Sequence, residues 1–393
     1  MSSRFWNSSN KHDPYGKQTI SQGDIDAVVE ALTSDFITQG PRVTAFEHAV
    51  AQKVGARFAF AANSATSSLH LACLALGLGE GKRLWTSPNT FVASANCGLY
   101  CGAEVDFVDI DPVSYNLCPS ALAKKLLQAE KDDALPHVVV AVHMCGQSCD
   151  MQAIHALSKQ YGFKVIEDAS HAIGGKYQGE YIGNCRYSDI TIFSFHPVKI
   201  VTTAEGGMSL TNDPELAKAM ESLRSHGITR DTDSLEDKDQ GAWYYEQQDL
   251  GFNYRMTDIQ AALGTSQLSR LDEFVARRNQ LAQRYHEKLS SLPLSTPVVA
   301  ESALSAWHLY VIQLDNPDCR RNVFDSLRAA GVGVHVHYIP VHTQPYYRKL
   351  GFDWGQFVAA EDYYAAALSL PLFFDMTEDE QDFVVDALAK ALS

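Results

Sequence analysis

Thr191-Ile192-Phe193-Ser194-Phe195-His196-Pro197-Val198-Lys199 is an apolar run that reaches a proline turn and then presents a lysine. Thr202-Thr203-Ala204-Glu205-Gly206-Gly207 follows three residues on. The β-branched and aromatic content of the first stretch predicts a buried strand over 189–195. An amine held just past such a strand sits in low dielectric, which disfavours its charged form. The neutral amine can then form a Schiff base with an aldehyde. A lone lysine after a lone strand is more commonly a surface residue. The rest of the chain decides between the two.

Strand and helix patterns alternate on both sides of this stretch. Short apolar runs over 57–62, 83–87, 104–109, 137–143, 164–168 and 207–210 read as strands. Residues 64–77, 121–130 and 151–161 read as helices between them. Apolar strands joined by helical crossovers predict an α/β fold with a mostly parallel sheet covered by helices on both faces. Ligands gather at the carboxyl ends of such strands. Earlier, Ile25, Val28, Val29 and Leu32 mark one amphipathic helix, and Val43, Phe46, Val50 and Val54 another after a break at Thr38-Gln39-Gly40-Pro41. A turn at Asp13-Pro14-Tyr15-Gly16-Lys17 precedes both.

Residues 227–248 turn polar and acidic and read as a long exposed loop. One long helix is expected from Thr257 through Leu268, Leu271 and Phe274 to about Leu289. Strands at 307–314 and 332–337 and helices at 322–330 and 379–392 complete a smaller α+β part. At 393 residues, the chain exceeds one ordinary core. We divide it into a large domain over 1–264 and a small carboxyl-terminal domain over 265–393.

A net charge of −15 leaves no basic stripe for nucleic acid, whereas a small anion needs only a few local cations and helix ends. No stretch is apolar for long enough to span a membrane, and the amino terminus lacks the apolar core of a secretory leader. Eight cysteines without scaffold spacing fit reduced thiols in a cytoplasm, and their pairs at 97/101 and 145/149 do not have zinc-site spacing. No metal is expected.

Asn63-Ser64-Ala65-Thr66 lies where a strand gives way to a helix, so free backbone N–H groups and the positive helix end can hold an anion. An ordinary helix cap looks the same. Gly77-Leu78-Gly79-Glu80-Gly81-Lys82 is a turn rather than a nucleotide loop, because Arg83 stands where a magnesium-binding hydroxyl is needed. Asp168 closes the strand at 164–168, where a carboxylate can pair with a pyridinium N–H or simply cap a helix. Phe91 could lie flat on a ring or be plain core. A lysine for an aldehyde, an anion cradle and an acid for a ring nitrogen are together the needs of pyridoxal 5′-phosphate (PLP).

The segments TQGP, NSATSSLHLA, SPNTFVASAN, EDASHAIGG, FSFHPVK with TTAEGG, GFNYRMTDIQAALG, and AWHLYVI with VHYIPVH stand in order along the chain. In these it resembles the fold-type I, PLP-dependent sugar aminotransferases of the DegT/DnrJ/EryC1/StrS group. The resemblance implies that Lys199 carries the Schiff base, Asp168 pairs with the ring nitrogen and Phe91 stacks on the pyridine. It implies that Ala65, Thr66 and Ser194 hold the phosphate, with Asn253 reaching it from a partner subunit in a homodimer with shared sites. His171 stands where many relatives have glutamine, at the cofactor's hydroxyl. Lys199 also sets the chain apart from sister dehydratases, which carry histidine there. His308, His337 and Tyr338 are the implied sugar-nucleotide contacts, with Tyr15 and Arg230 as further ones. His335 and His337 should point opposite ways if 332–337 is a strand. DPYGKQTI, NCGLYCGAEVDFVDID and VHMCGQSCDM narrow the resemblance further. They match transaminases that move the amino group of L-glutamate to C4 of a UDP-linked 4-keto-6-deoxy-N-acetyl-hexosamine in pseudaminic acid synthesis.

Overall fold

The computed structural model describes residues 14–393; the leader reading and Asp13 fall outside them. Seven strands form the main sheet: β1 Phe58–Ala62, β2 Arg83–Thr86, β3 Glu104–Phe107, β4 Val138–Val142, β5 Lys164–Asp168, β6 Ile190–Ser194 and β7 Gly207–Thr211. Their spatial order is β1-β7-β6-β5-β4-β2-β3. β2, β3, β4, β5 and β6 pair in parallel, and β7 runs against both of its neighbours. The expected α/β sheet is present.

Both faces of the sheet are covered, which explains why its strands are apolar without alternation. In β6, Ile190 and Ile192 pack on one side with Leu69, Ala72 and Cys73 of α3 (Ala65–Ala75). Phe193 and Phe195 point the other way, to Phe46 and Val50 of α2 (Pro41–Val54). Pro41 opens α2 where its missing N–H costs nothing, and Gly55 closes it at φ 84, in the left-handed region that glycine reaches without strain.

α1 (Gln22–Leu32) begins with a reciprocal capping box between Ser21 and Asp24. The long helix expected from 257 is two, α4 (Asp258–Leu268) and α5 (Leu271–Leu289). Asp24, fully buried, ties together residues on both sides of the break, accepting from Ser266 Oγ at 2.6 Å, Gln267 Nε2 at 2.7 Å and Arg270 Nη2 at 2.6 Å.

The carboxyl-terminal part packs Leu281, Tyr285 and Leu289 of α5 against the antiparallel strands Tyr310–Leu314 and Ala367–Leu370 and the helix Glu378–Leu392. The segment 332–337 is not the strand we expected. It forms isolated bridges rather than a ladder, among them the bridge from His335 to Ser369. Side chains satisfy the backbone instead: Tyr363 Oη donates to His337 O at 2.8 Å, and Tyr338 N donates to Asn89 Oδ1 at 3.3 Å. The strand expected at 307–314 starts only at Tyr310, because Trp307 turns at φ 50. Within 227–248 a two-residue hairpin, 228–229 on 246–247, closes an exposed excursion. No described helix is long and apolar enough to cross a membrane.

Candidate active site

The carboxyl ends of β1, β5 and β6 converge with the start of β7. Gly207 is there because a Cβ would run into the backbone of Ser64 and Ala65, where β1 hands over to α3. Ser64 caps α3 by accepting from Ser67 N at 3.1 Å. The first intrahelical bond runs from Ser68 N to Ser64 O at 3.1 Å, so the N–H groups of Ala65 and Thr66 come before it and remain for an anion. After β6 the chain turns, with Lys199 N donating to His196 O at 2.9 Å. It returns to β7 held by Thr203 N on Phe195 O and Phe195 N on Gly206 O, each 2.9 Å.

A cavity of about 420 Å³ opens at this junction. Lys199, Asp168, Ala65, Thr66, Phe91, His171, Ser194, Tyr15, His308, His337 and Tyr338 all line it. Eleven residues scattered from position 15 to position 338 thus meet in one place. Burial pushes the Lys199 amine down to about 8, against the pull of the Asp168 carboxylate. Asp168 Oδ2 accepts from Ser94 Oγ at 2.6 Å, while Oδ1 accepts from Ser170 Oγ at 2.5 Å and Ser170 N at 3.2 Å. Thr90 Oγ1 lies 2.8 Å from Ser94 Oγ and extends the chain of hydroxyls. Phe91 is 58% exposed, with its ring 6.3 Å from that of Tyr338.

On the other wall the buried imidazoles of His171 and His308 lie 4.4 Å apart, and His171 Nε2 is 3.2 Å from Tyr338 Oη. Burial holds both histidines well below the usual range, and the nearby Lys199 adds to this. His337 is pushed down to about 3, first by burial and then by His335 and Lys199, and its Nδ1 is 2.8 Å from Ser369 Oγ. His335 and His337 do not point apart. Their rings stack at 4.6 Å, both against Tyr15, and both line the cavity. Without a ladder on both sides of 332–337, the side chains lose the alternation of a strand.

Two expected residues lie elsewhere. Asn253 is exposed, joined through its backbone to Ser225, and Arg230 stands over the ring of Tyr245 at 5.8 Å; neither lines this cavity. His342 is buried against Glu361 at 3.0 Å, away from the cavity. Ser94 and Ser170 were not singled out from sequence. Ser94 follows Thr90 by one helical turn inside a segment already quoted, which is the signal that could have found it.

A lysine, a carboxylate fixed by hydroxyl donors, and a helix start with unspent N–H groups match the aldehyde, ring nitrogen and phosphate of PLP. The sheet and this set of groups define a fold-type I PLP enzyme. Over residues 18–389 the chain matches the DegT/DnrJ/EryC1/StrS aminotransferase family, and it belongs to that family. Enzymes of this family are PLP-dependent aminotransferases. The chain is 40% identical over 381 residues to the spore coat polysaccharide biosynthesis protein SpsC of Bacillus subtilis, covering 95% of this chain and 96% of that one. It is 37% identical over 382 residues to the UDP-4-amino-4,6-dideoxy-N-acetyl-beta-L-altrosamine transaminase of Campylobacter jejuni, covering 96% and 97%. Among solved structures, Helicobacter pylori PseC, an aminotransferase involved in the biosynthesis of pseudoaminic acid, superposes with a TM-score of 0.89. That match has 30% identity and covers 97% of this chain and 99% of PseC.

Proposed function

We propose that the enzyme transfers the amino group of L-glutamate to C4 of a UDP-linked 4-keto-6-deoxy-N-acetyl-hexosamine, working in the cytoplasm as a homodimer. The observation that carries the reading is full-length similarity to the altrosamine transaminase of Campylobacter jejuni. PLP, when bound, supplies the aldehyde that takes up the amine and a ring that draws electrons from the carbon losing its proton. Lys199 holds it covalently, and Ala65, Thr66 and Ser194 hold its phosphate. Asp168 keeps a proton on the ring nitrogen, Phe91 covers the ring and His171 lies beside its hydroxyl. Lys199 Nζ accepts the α-proton of glutamate in one half-reaction and delivers a proton to C4 of the sugar in the other. One base serves both because the two substrates alternate in one site.

His308, His337, Tyr338 and Tyr15 are assigned to the sugar nucleotide, with Arg230 as a further contact, and Asn253 to the phosphate site of the partner subunit. The dimer accounts for the exposed apolar run of Ile25, Val29, Leu32, Phe36 and Ile37, each about half exposed. The division into domains over 1–264 and 265–393 belongs to the same reading. The chain is also 40% identical to SpsC, which is named for spore coat polysaccharide biosynthesis, and a second reading is therefore another nucleotide-linked keto sugar, such as a dTDP-keto-hexose or a UDP-4-keto-pentose.

Incubation with glutamate and a panel of nucleotide keto sugars, followed by NMR of the product, separates these. Amination of the UDP-hexosamine at C4 in preference to the others is expected, and preference for a dTDP sugar or a pentose would overturn the first assignment. Borohydride reduction of PLP-saturated protein should leave the pyridoxyl group on Lys199 alone; an unlabelled Lys199 peptide would remove the whole mechanism.

A further inference from the structure

Gly146 sits at φ +111, where a Cβ would lie 2.8 Å from Trp307 N, 2.9 Å from His171 O and 3.1 Å from His308 N. Three backbone segments meet there because one of them lacks a side chain. The His308 segment is further pinned by buried Arg278, whose Nη1 donates to Trp307 O and Leu372 O, each at 3.0 Å. His308 is therefore held on two sides, and its Nε2 stands 3.4 Å from Lys199 Nζ. Its Nδ1 is buried and has no hydrogen-bond partner.

A neutral imidazole carries one proton, on either nitrogen. Placed on Nδ1, that proton would be a buried donor with nothing to receive it, and the desolvation cost would go unrecovered. Placed on Nε2, it faces the amine, and an uncharged amine has a lone pair to accept it. Burial foremost, and Arg278 with it, oppose a second proton on this ring even when Lys199 is uncharged.

We propose that His308 is a positioning residue for Lys199: once the amine is uncharged, the Nε2–H of His308 donates to its lone pair, which opposes protonation of the amine and fixes it in the cavity. The inference rests on the assignment of Lys199 made above, which borohydride labelling tests separately. Other groups also face this amine. Asp168 favours the ammonium form, while His171 and His337 are uncharged. Arg278 and Lys17 lie with Lys199 around a small void behind it, and Glu205, His196 and His335 line the main cavity.

Nitrogen-15 NMR of the histidine-labelled full chain reads the tautomer directly, both cofactor-free and saturated with pyridoxamine phosphate. Well above pH 8, where the amine is uncharged, a protonated Nε2 and a bare Nδ1 on His308 are expected in both forms; a protonated Nδ1 or an imidazolium there overturns the proposal. Reductive methylation of the cofactor-free chain across a pH series, read on the Lys199 peptide by mass spectrometry, gives an independent measure. His308→Gln keeps an N–H of similar reach and should leave the midpoint near the wild-type value of about 8. His308→Met fills the space without a donor and should raise the midpoint by roughly half a unit to one unit. Mere desolvation by the ring would instead leave it unchanged or lower it in His308→Met. That result, or equal shifts in both variants, overturns the proposal. If His308→Met fails to fold, the NMR result, which needs no substitution, decides.

Discussion

Ser94 Oγ donates to Asp168 Oδ2 at 2.6 Å, so a hydroxyl from the helix after β2 holds the carboxylate that ends β5. Hydrogen bonds to an ionised acceptor are worth roughly 1.5–3 kcal/mol. Ser94→Ala removes one such bond and leaves the Ser170 pair in place. We expect the Asp168 carboxylate to be held less firmly and the chain to bind PLP about tenfold more weakly. Lys199 should still take the pyridoxyl label. Equilibrium dialysis of PLP against both proteins checks this, and equal affinities would mean that Ser170 alone holds Asp168.

Lys199 predicts a pH-dependent stability difference. Its folded value of about 8 lies below the ordinary 10.5, so between these values the unfolded chain binds more protons than the folded one. Stability therefore rises with pH across that window, and below it the folded chain carries the full penalty of enclosing an ammonium. Lys199→Met removes the penalty. Because the side chain is partly open to the cavity, we expect a discounted gain of about 1–2 kcal/mol at neutral pH. The gain should close as pH approaches the unfolded value. Urea titrations of the two cofactor-free proteins at pH values on both sides of the window check both sign and closure.

At Asp24 stability again rises with pH, but the substitution acts in the opposite direction. Burial alone would raise its proton affinity, but the Ser21 N–H, Ser266, Gln267 and Arg270 outweigh burial and hold the carboxyl below its ordinary 3.8. A depressed carboxyl contributes stability that is present above its unfolded value and lost as pH falls through the folded one. Asp24→Asn leaves Arg270 without its counter-charge and should cost about 2–4 kcal/mol at neutral pH. Wild type should lose stability on acidification more steeply than the variant, as thermal melts across the acid range would show. Parallel acid limbs would mean that the carboxyl is not held ionised by the fold.

Asp24 also shows where sequence reasoning stops. Strands β1, β2, β4, β5, β6 and β7 were legible because burial on both faces makes each a short apolar run with nothing else to be. Lys199 and Asp168 were legible because they end such runs, where a parallel sheet opens to ligands. The break between α4 and α5 was not, since the local pattern is helical throughout, and the residues around it are tied to Asp24, more than 240 positions away. The segment 332–337 misled for a related reason. Its valines and histidines alternate like a strand, yet Asn89 and Tyr363 take its backbone bonds. His335 consequently joins His337 on the cavity wall. Ser94 needed only the helical spacing from Thr90, but a serine signals nothing until its carboxylate partner is placed.

Gly146 joins stability to the geometry of the site. Gly146→Ala puts a side chain at φ +111 and drives it against the backbone of Trp307 and His171. Strained backbone of this kind costs on the order of 1–3 kcal/mol, and because the obstacles are main chain, rotamer changes cannot relieve it. The relief available is for the 305–309 segment to move away from His171, carrying His308 from Lys199. We therefore expect kcat/KM to fall by more than the loss of folded protein explains. The Lys199 labelling midpoint should also move in the direction set by His308→Met. Urea melts, single-turnover amination and peptide labelling on the same preparation separate the two contributions. If activity merely tracks the folded fraction and the midpoint stays at its wild-type value, the close approach at Gly146 supports the fold alone and not the lysine.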